Sequence, residues 1–176
     1  MRNHALKWPE IPDWRSAEIR TGGLIVRSGP TVEQFVVSGD LSAFGLDTGY
    51  DTEGVGALGL AHGSAYTVRL ARDRLLVVGP VPGMLVPGWN GGGYATTTLS
   101  AALHIFEISG ADALALIRRG TTLDPTEPGP CAVVTFAGIN VSLYRYESAD
   151  TFRTHVDRGL AAYLWSWFTE AAAAMA

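Results

Sequence analysis

Residues 150–172 carry the clearest hydrophobic pattern in the chain. Apolar side chains recur there at the three- and four-residue spacing of one helical face, at Leu160, Tyr163, Leu164, Trp167, Phe168 and Ala171. The alternation just before them is that of a short strand, and Asp157 is a suitable N-cap. The pattern therefore predicts a strand that leads directly into a helix with this face buried. Trp165 lies beside the face, so we expect it to widen the core contact or to meet another chain.

Alternating apolar and polar positions predict three β-hairpins. Their turns fall at residues 21–23, 71–74 and 138–140. Residues 103–108 predict a further strand, and the apolar positions after it predict a helix with Ser109 as its N-cap and Gly120 at its end. The long crossovers that parallel sheets need are missing from this order. The expected fold class is therefore α+β, a mainly antiparallel sheet with two helices on one face.

One domain is expected to span residues 1–176, because a chain of this length buries about 70% of its unfolded surface around one core. Two segments lack a regular pattern. Residues 1–16 contain two tryptophans and two prolines, which predict an N-terminal arm that docks on this domain or on a partner. Residues 79–93 are rich in glycine and proline, which predicts a linker between two halves of the domain.

Composition narrows the classes of protein and partner. The chain has 13 lysines and arginines against 17 aspartates and glutamates, without a basic stripe, so no nucleic-acid partner is expected. Every apolar run is interrupted before it reaches the ~18 residues of a membrane span, so no membrane insertion is expected. A single cysteine excludes an internal disulfide, and without a secretory signal pattern the expected location is the cytoplasm. The charged share of 17% favours a surface partly covered by other chains, although a GC-rich genome would give the same composition.

No motif predicts catalytic, cofactor-binding or metal-binding residues in this chain. The histidines are scattered singly, without a second ligand at helix or loop spacing: His4, His62, His104 and His155. Glycines 54, 56 and 59 match the dinucleotide fingerprint, but an acidic loop stands where that fingerprint needs a buried strand. Cys131 begins an apolar strand and is expected to be a small buried hydrophobe. The serines lack the nucleophile elbow of hydrolases.

Three stretches of the second half of the chain occur in a characteristic order. Residues 102–125 contain a strand, a Ser-Gly pair, a helix and the segment Gly-x-x-Leu-Asp, and residues 129–132 open a hairpin with Gly-Pro-Cys-Ala. Residues 152–168 contain a strand, an arginine and Tyr-Leu-Trp-Ser-Trp. In content, order and spacing, these stretches resemble the gamma subunit family of heterotetrameric sarcosine oxidase, which is related to the aminomethyltransferase (T-protein) of the glycine cleavage system. Thr121 and Thr122 differ from the Cys-Pro that is common in the family.

The resemblance implies an aminomethyltransferase-like fold and a subunit without an active site of its own. In that family, the larger alpha and beta subunits hold FAD, FMN, NAD and the tetrahydrofolate site, and the small delta subunit binds zinc. The implied complex oxidatively demethylates sarcosine or a similar N-methyl amine and passes the one-carbon unit to tetrahydrofolate. The expected partners are thus alpha, beta and delta subunits. The expected partner contacts are the surplus tryptophans Trp8, Trp14, Trp89 and Trp165.

Two other functions remain open from the sequence. The kinship with the T-protein also suggests a stand-alone aminomethyl- or methyltransferase that binds tetrahydrofolate. Residues 79–93 could instead serve a small-molecule binding or regulatory module, with a pocket beneath Trp89.

Overall fold

Two sheets and three helices make up the computed structural model, which describes residues 11–124 and 127–175. In chain order the strands are β1 (Glu18–Thr21), β2 (Leu24–Ser28), β3 (Gln34–Gly39), β4 (Leu60–Ala61), β5 (Tyr66–Ala71), β6 (Arg74–Val78), β7 (Gly88–Asn90), β8 (Tyr94–Thr98), β9 (Leu103–Ser109), β10 (Val133–Phe136), β11 (Ile139–Tyr146) and β12 (Thr151–Asp157). The helices are α1 (Leu41–Thr48), α2 (Ala113–Gly120) and α3 (Ala161–Ala173).

The two sheets are built from different parts of the chain. Sheet A has the strand order β1-β2-β9-β12-β11-β10, and β4 pairs with β11 in parallel. Sheet B has the order β5-β6-β3-β8-β7. Every other pair of named strands is antiparallel. The chain enters sheet B after β2 and returns to sheet A before β9, touching sheet A in between only at β4.

Three clusters of buried side chains fix the order of the layers. The largest cluster joins α2 and α3 to sheet A. The second cluster lies between the two sheets, and the third joins sheet B to α1. The strand β6 shows the consequence most clearly, since Leu75 and Val77 belong to the cluster with α1 while Leu76 and Val78 belong to the cluster between the sheets. A strand buried on both faces is expected to be apolar throughout, as β6 nearly is.

The predicted α+β class and the mainly antiparallel pairing are confirmed. The three predicted hairpins are present as β1–β2, β5–β6 and β10–β11. The expected arrangement of one sheet with two helices was incomplete, because β3, β5, β6, β7 and β8 form a second sheet with α1 on its outer face. The strands β7 and β8 lie in sequence rich in glycine and threonine without apolar alternation. Pairing with neighbouring strands, more than local preference, therefore determines them.

Residues 79–93 lie within sheet B. They connect β6 to β8 and include β7, and β3 lies between β6 and β8 and pairs with both. The sequence predicts a linker between two halves of the domain, and in the structure this segment joins two strands of one sheet. Glycine is needed at its first position, because Gly79 has a φ of +63° and a Cβ there would lie 2.0 Å from the Ser64 carbonyl oxygen. The glycine at this position therefore allows a tight turn directly after β6.

The helix α2 begins later than the sequence predicted. Ser109 is not its N-cap, because Ser109 still belongs to β9 and pairs with Ile25 and Thr151. Asp112 occupies the N-cap position, and α2 ends at Gly120 as expected. Within the described ranges, no helix combines the length and apolarity needed to cross a membrane.

The closing helix is present as α3, but its buried face is rotated from the predicted one. Its fully buried residues are Ala161, Leu164, Phe168 and Ala172. Leu160 and Tyr163, predicted to be buried, are 40% and 49% exposed. The reason is a 3₁₀ turn at Arg158–Leu160, in which the Asp157 carboxylate accepts a hydrogen bond from the Gly159 N–H. This turn delays the α-helix to residue 161 and so changes the face that meets sheet A.

Candidate functional site

A buried carboxylate pairs with two arginines in the middle of sheet A. Glu107 of β9 stands opposite Arg27 of β2 on one side and Arg153 of β12 on the other. Arg27 donates from Nε and Nη2 to Glu107 Oε2 at 2.9 and 2.7 Å. Arg153 donates from Nε and Nη2 to Glu107 Oε1 at 3.0 and 2.7 Å. Both oxygens of the carboxylate are thus held by charge-assisted hydrogen bonds.

The two arginines differ in burial. The Arg27 side chain is largely exposed, whereas the Arg153 side chain is buried, with its guanidinium carbon 3.3 Å from the centroid of the Tyr146 ring. Burial by itself would raise the pKa of the Glu107 carboxyl, but the hydrogen bonds from Arg153 and Arg27 outweigh it and hold the pKa below its usual value. Glu107 and Arg153 therefore form the buried ion pair of the site.

A chain of hydrogen bonds continues from Arg153 across the space between the sheets. Arg153 Nη1 donates to the Tyr66 hydroxyl at 2.9 Å, and the hydroxyls of Tyr66 and Tyr144 are 2.8 Å apart. The Tyr144 hydroxyl lies 2.5 Å from His155 Nε2, and His155 Nδ1 lies 2.6 Å from Gln34 Oε1. All five residues are buried.

The direction of donation along this chain follows from the chemistry of its first member. Arginine only donates, so the Tyr66 oxygen accepts from Arg153 and the Tyr66 proton goes to Tyr144. Tyr144 then donates to His155 Nε2, and the His155 Nδ1–H donates to Gln34 Oε1. The opposite direction would leave the Tyr66 proton without an acceptor among the described residues, which buried hydroxyls avoid.

This polar network joins the two sheets. Arg153, His155 and Tyr144 belong to sheet A, whereas Tyr66 and Gln34 belong to sheet B. Sequence reasoning missed the network, although a signal existed in β12, where Arg153 and His155 alternate with Phe152, Thr154 and Val156. In a sheet with one covered face, such positions would face water. Only the second sheet, whose strands come from earlier in the chain, makes them an interior face.

Burial controls the protonation of the tyrosines and histidines in this region. Burial raises the pKa of Tyr66 and raises that of Tyr144 well above its usual value. Burial, together with the nearby charge of Arg153, lowers the pKa of His155 to about 3. Burial, together with the nearby charge of Arg158, lowers the pKa of His104 to about 4. Both histidines are therefore neutral in the folded protein at neutral pH.

The free energy of unfolding is expected to fall as the pH is lowered from about 6.5 toward 4. Below pH 6.5 the unfolded chain binds a proton at each histidine, whereas the folded chain, with a His155 pKa of about 3, does not. A depressed histidine pKa thus costs stability on acidification, by about 1.4 kcal/mol per pH unit for each such group. Urea unfolding at a series of pH values measures the slope.

The variant His155→Gln identifies the group responsible, because glutamine keeps polar atoms at this position but does not titrate. Its stability at neutral pH will change, so the comparison concerns only the slope between pH 6.5 and 5, where carboxyl groups with ordinary pKa values stay ionised. A shallower slope in the variant supports the assignment. An equal slope in both proteins would contradict it.

The structure brings two of the predicted partner-contact tryptophans together. Trp14 and Trp165 meet edge to face with ring centroids 5.9 Å apart, and Trp165 is stacked on Phe106 at 5.8 Å. Trp14 also lies 4.6 Å from the His104 ring. The buried part of both rings is thus explained by contacts within this chain, and contact with a partner stays a prediction. Trp8 lies outside the described residues.

Trp89 is placed differently. It lies in β7 at an edge of sheet B and is 75% exposed. Met84 and Val86 join it around a cleft of about 270 Å³, and both are exposed apolar side chains. These three residues form the Trp89 patch. A second apolar surface, the α3 groove of about 560 Å³, is lined by Leu160, Tyr163 and Trp167. Exposed apolar surfaces of this kind mark interaction sites in many proteins.

The remaining histidines and the cysteine, considered as candidate catalytic or metal-binding residues, lie apart from one another. His62 is exposed, 3.6 Å from Glu147, and His104 Nε2 lies 3.2 Å from the Ser28 hydroxyl. The half-buried Cys131 donates from Sγ to the Leu70 carbonyl oxygen at 2.7 Å. Within residues 11–124 and 127–175, no three histidine, cysteine or acidic side chains converge as a metal-ligand set. His4 lies outside the described residues.

Comparison with solved structures identifies the fold. A chain of the heterotetrameric sarcosine oxidase from Corynebacterium sp. U-96 superposes with a TM-score of 0.71 at 18% sequence identity, covering 85% of this chain and 84% of that chain. This protein has the fold of that sarcosine oxidase chain. The resemblance read from the sequence is thus confirmed at the level of fold. The superposition thus relates most of this chain to most of that chain.

A second solved structure is less similar. The glycine cleavage system aminomethyltransferase T from Bartonella henselae gives a TM-score of 0.47 at 13% identity, over 81% of this chain and 44% of that chain. No family model and no curated protein matches the sequence.

Proposed function

We propose that this chain is a non-catalytic, gamma-type subunit of a heterotetrameric flavoenzyme complex similar to sarcosine oxidase. In this proposal the complex oxidatively demethylates sarcosine or a similar N-methyl amine and transfers the one-carbon unit to tetrahydrofolate. Subunits of the alpha, beta and delta type are its partners. FAD, FMN, NAD, tetrahydrofolate and zinc are held by those partners, and this chain supports the assembly in the cytoplasm.

The fold similarity to a chain of a heterotetrameric sarcosine oxidase carries the proposal. The match covers similar and large shares of this chain and of that chain. The ionised groups of the buried network agree with a supporting role. Glu107, Arg27 and Arg153 are bonded to one another, and their chemistry is used to hold strands together.

The Trp89 patch is the proposed contact with a larger subunit. Its apolar side chains are exposed, and tryptophan is among the residue types enriched at the energetic centres of interfaces. Trp89 also lies on an edge strand, where a neighbouring chain has direct access.

Co-expression tests the proposal. The chain with an affinity tag is produced together with alpha, beta and delta subunits of a sarcosine oxidase-like complex. The purified material is examined for flavin absorbance, subunit composition and amine oxidation. We expect a stoichiometric complex that oxidises sarcosine or a related N-methyl amine. Purification of the tagged chain alone, without flavin, would overturn the proposal. Binding of tetrahydrofolate by the isolated chain in calorimetry, with methyl or aminomethyl transfer, would favour the stand-alone transferase instead.

The variant Trp89→Ala is expected to weaken assembly while leaving folding unchanged. An interface aromatic of this exposure contributes more than about 1 kcal/mol to binding, which corresponds to at least a fivefold rise in the dissociation constant. Because the side chain is largely exposed in the free chain, the free energy of unfolding should change by less than about 0.5 kcal/mol. Titration of the tagged chain against the remaining complex measures the first quantity, and urea unfolding the second.

Val133→Ala is the matched control. Val133 is also an exposed apolar side chain on an edge strand, but it lies on β10 in the other sheet. Its loss should change neither assembly nor folding appreciably. Equal affinity of Trp89→Ala and the unchanged protein for the complex would exclude the Trp89 patch as the contact.

A further inference from the structure

A cavity of about 320 Å³ opens where the chain crosses from sheet A to sheet B. Its walls come from three parts of the chain: residues 14–15, residues 28–32 with Gln34, and the beginning of β9 with Ser100 before it. Arg158 completes them. Trp14, Leu103 and Ile105 give it apolar surface. This cavity is separate from the Trp89 patch and the α3 groove, with which it shares no lining residue.

An unused hydrogen-bond donor faces this cavity. Gln34 is only 2% exposed, and its amide oxygen is taken by His155, whereas its amide nitrogen has no acceptor among the described residues. That nitrogen is not fully enclosed by protein atoms either. It therefore retains access to the cavity that Gln34 lines. A buried amide donor needs an acceptor.

The buried network strengthens this donor. Its hydrogen bonds run in one direction, from Arg153 through Tyr66, Tyr144 and His155 to the Gln34 oxygen. Hydrogen bonds arranged head to tail polarise one another, and drawing electron density to the amide oxygen makes the amide N–H a better donor. The positive end of the network is therefore presented to the cavity.

Positive charge surrounds the same opening. Arg15 and Arg158 line it, and neither has a carboxylate within ion-pair distance among the described residues. The charge of Arg158 reaches the cavity wall, since it contributes to lowering the pKa of His104 to about 4. No described residue that lines the cavity is acidic.

We propose that this cavity is a binding site for a small organic carboxylate, held by the Gln34 amide nitrogen and Arg158, with its apolar body against Trp14. A carboxylate matches the observed chemistry, because it only accepts hydrogen bonds and carries the charge that two unpaired arginines favour. The volume accommodates a molecule larger than a simple inorganic anion. This inference uses only contacts within the chain and does not depend on the proposed subunit function.

Calorimetric titration of the full chain with benzoate tests the site, with the neutral amide benzamide as the matched ligand. We expect saturable one-to-one binding of benzoate with a dissociation constant in the millimolar range, and no comparable binding of benzamide. The NMR signals of the His104 ring should follow the same titration, because that ring lines the cavity.

Substitutions at two exposed arginines make the test specific. Arg158→Gln should weaken benzoate binding at least tenfold, and Arg158→Lys should restore most of it because lysine keeps the charge. Arg119→Gln, in the last turn of α2, removes another exposed arginine outside the cavity lining and should leave binding unchanged. The proposal is overturned by absence of saturable benzoate binding, by equal binding of benzamide, or by equal affinity in Arg158→Gln and the unchanged protein.

Discussion

Replacing Arg153 with alanine is expected to lower the free energy of unfolding by about 3–5 kcal/mol, the usual loss when one partner of a buried ion pair is removed. The change removes both hydrogen bonds to Glu107 Oε1 and the donor to the Tyr66 hydroxyl. Glu107 would keep only Arg27, whose side chain is largely exposed and solvated. Urea unfolding followed by circular dichroism measures the loss.

Arg20→Ala provides the control for this prediction. Arg20 also pairs with a glutamate, Glu18, at 2.9 Å, but both side chains are exposed. Exposed pairs contribute at most about 1 kcal/mol, so a small loss is expected. The double variant Arg153→Met with Glu107→Leu removes both buried charges and should recover part of the stability. If Arg153→Ala lost no more stability than Arg20→Ala, the network would not be a significant contributor to folding.

Phe168→Ala is expected to cost about 3–5 kcal/mol, because a large aromatic side chain is removed from a closed core. Phe168 is fully buried, and its ring contacts Phe106 of β9 and Phe136 of β10 with centroids 5.5 and 6.0 Å away. The residue therefore fixes α3 to two strands of sheet A. Urea unfolding again measures the loss, and Glu170→Ala, at an exposed position of the same helix, should stay within about 0.5 kcal/mol of the unchanged protein.

The two tryptophans beside Phe168 sharpen this test. The apolar stripe in the sequence predicts a large loss of stability at Trp167, and almost none at Trp165 if that residue faces a partner. In the structure both are partly buried, with Trp167 against Phe136 at 5.0 Å and Trp165 against Phe106 at 5.8 Å. We therefore expect similar losses of about 1–3 kcal/mol at both, smaller than at Phe168. A loss of stability at Trp167 as large as that at Phe168, with none at Trp165, would instead support a buried Trp167 and a Trp165 that faces a partner.

The sequence by itself predicted those secondary-structure elements that depend on residues close to one another along the chain. The three hairpins and the closing helix rest on turn residues and apolar spacing within short windows, and all four are present. The α+β class follows from their order. The motif order in residues 102–168 pointed to the fold that the sarcosine oxidase chain shares. The tryptophans were proposed as partner contacts because of their number and residue type. What each ring touches could not be predicted from the sequence.

Tertiary structure alone decided which faces are covered. Sheet B pairs β3, from the first quarter of the chain, with β6 and β8, and no local pattern contains that information. Once sheet B covers sheet A, the polar face of β12 becomes interior, and Arg153 and His155 must find partners on distant strands. The 3₁₀ turn before α3 likewise changes which of its aromatic residues are buried. Short-range patterns specify the elements because those patterns reflect local geometry. The buried network and the cavity beside Gln34 depend on contacts between residues far apart in sequence, which only the folded chain brings together.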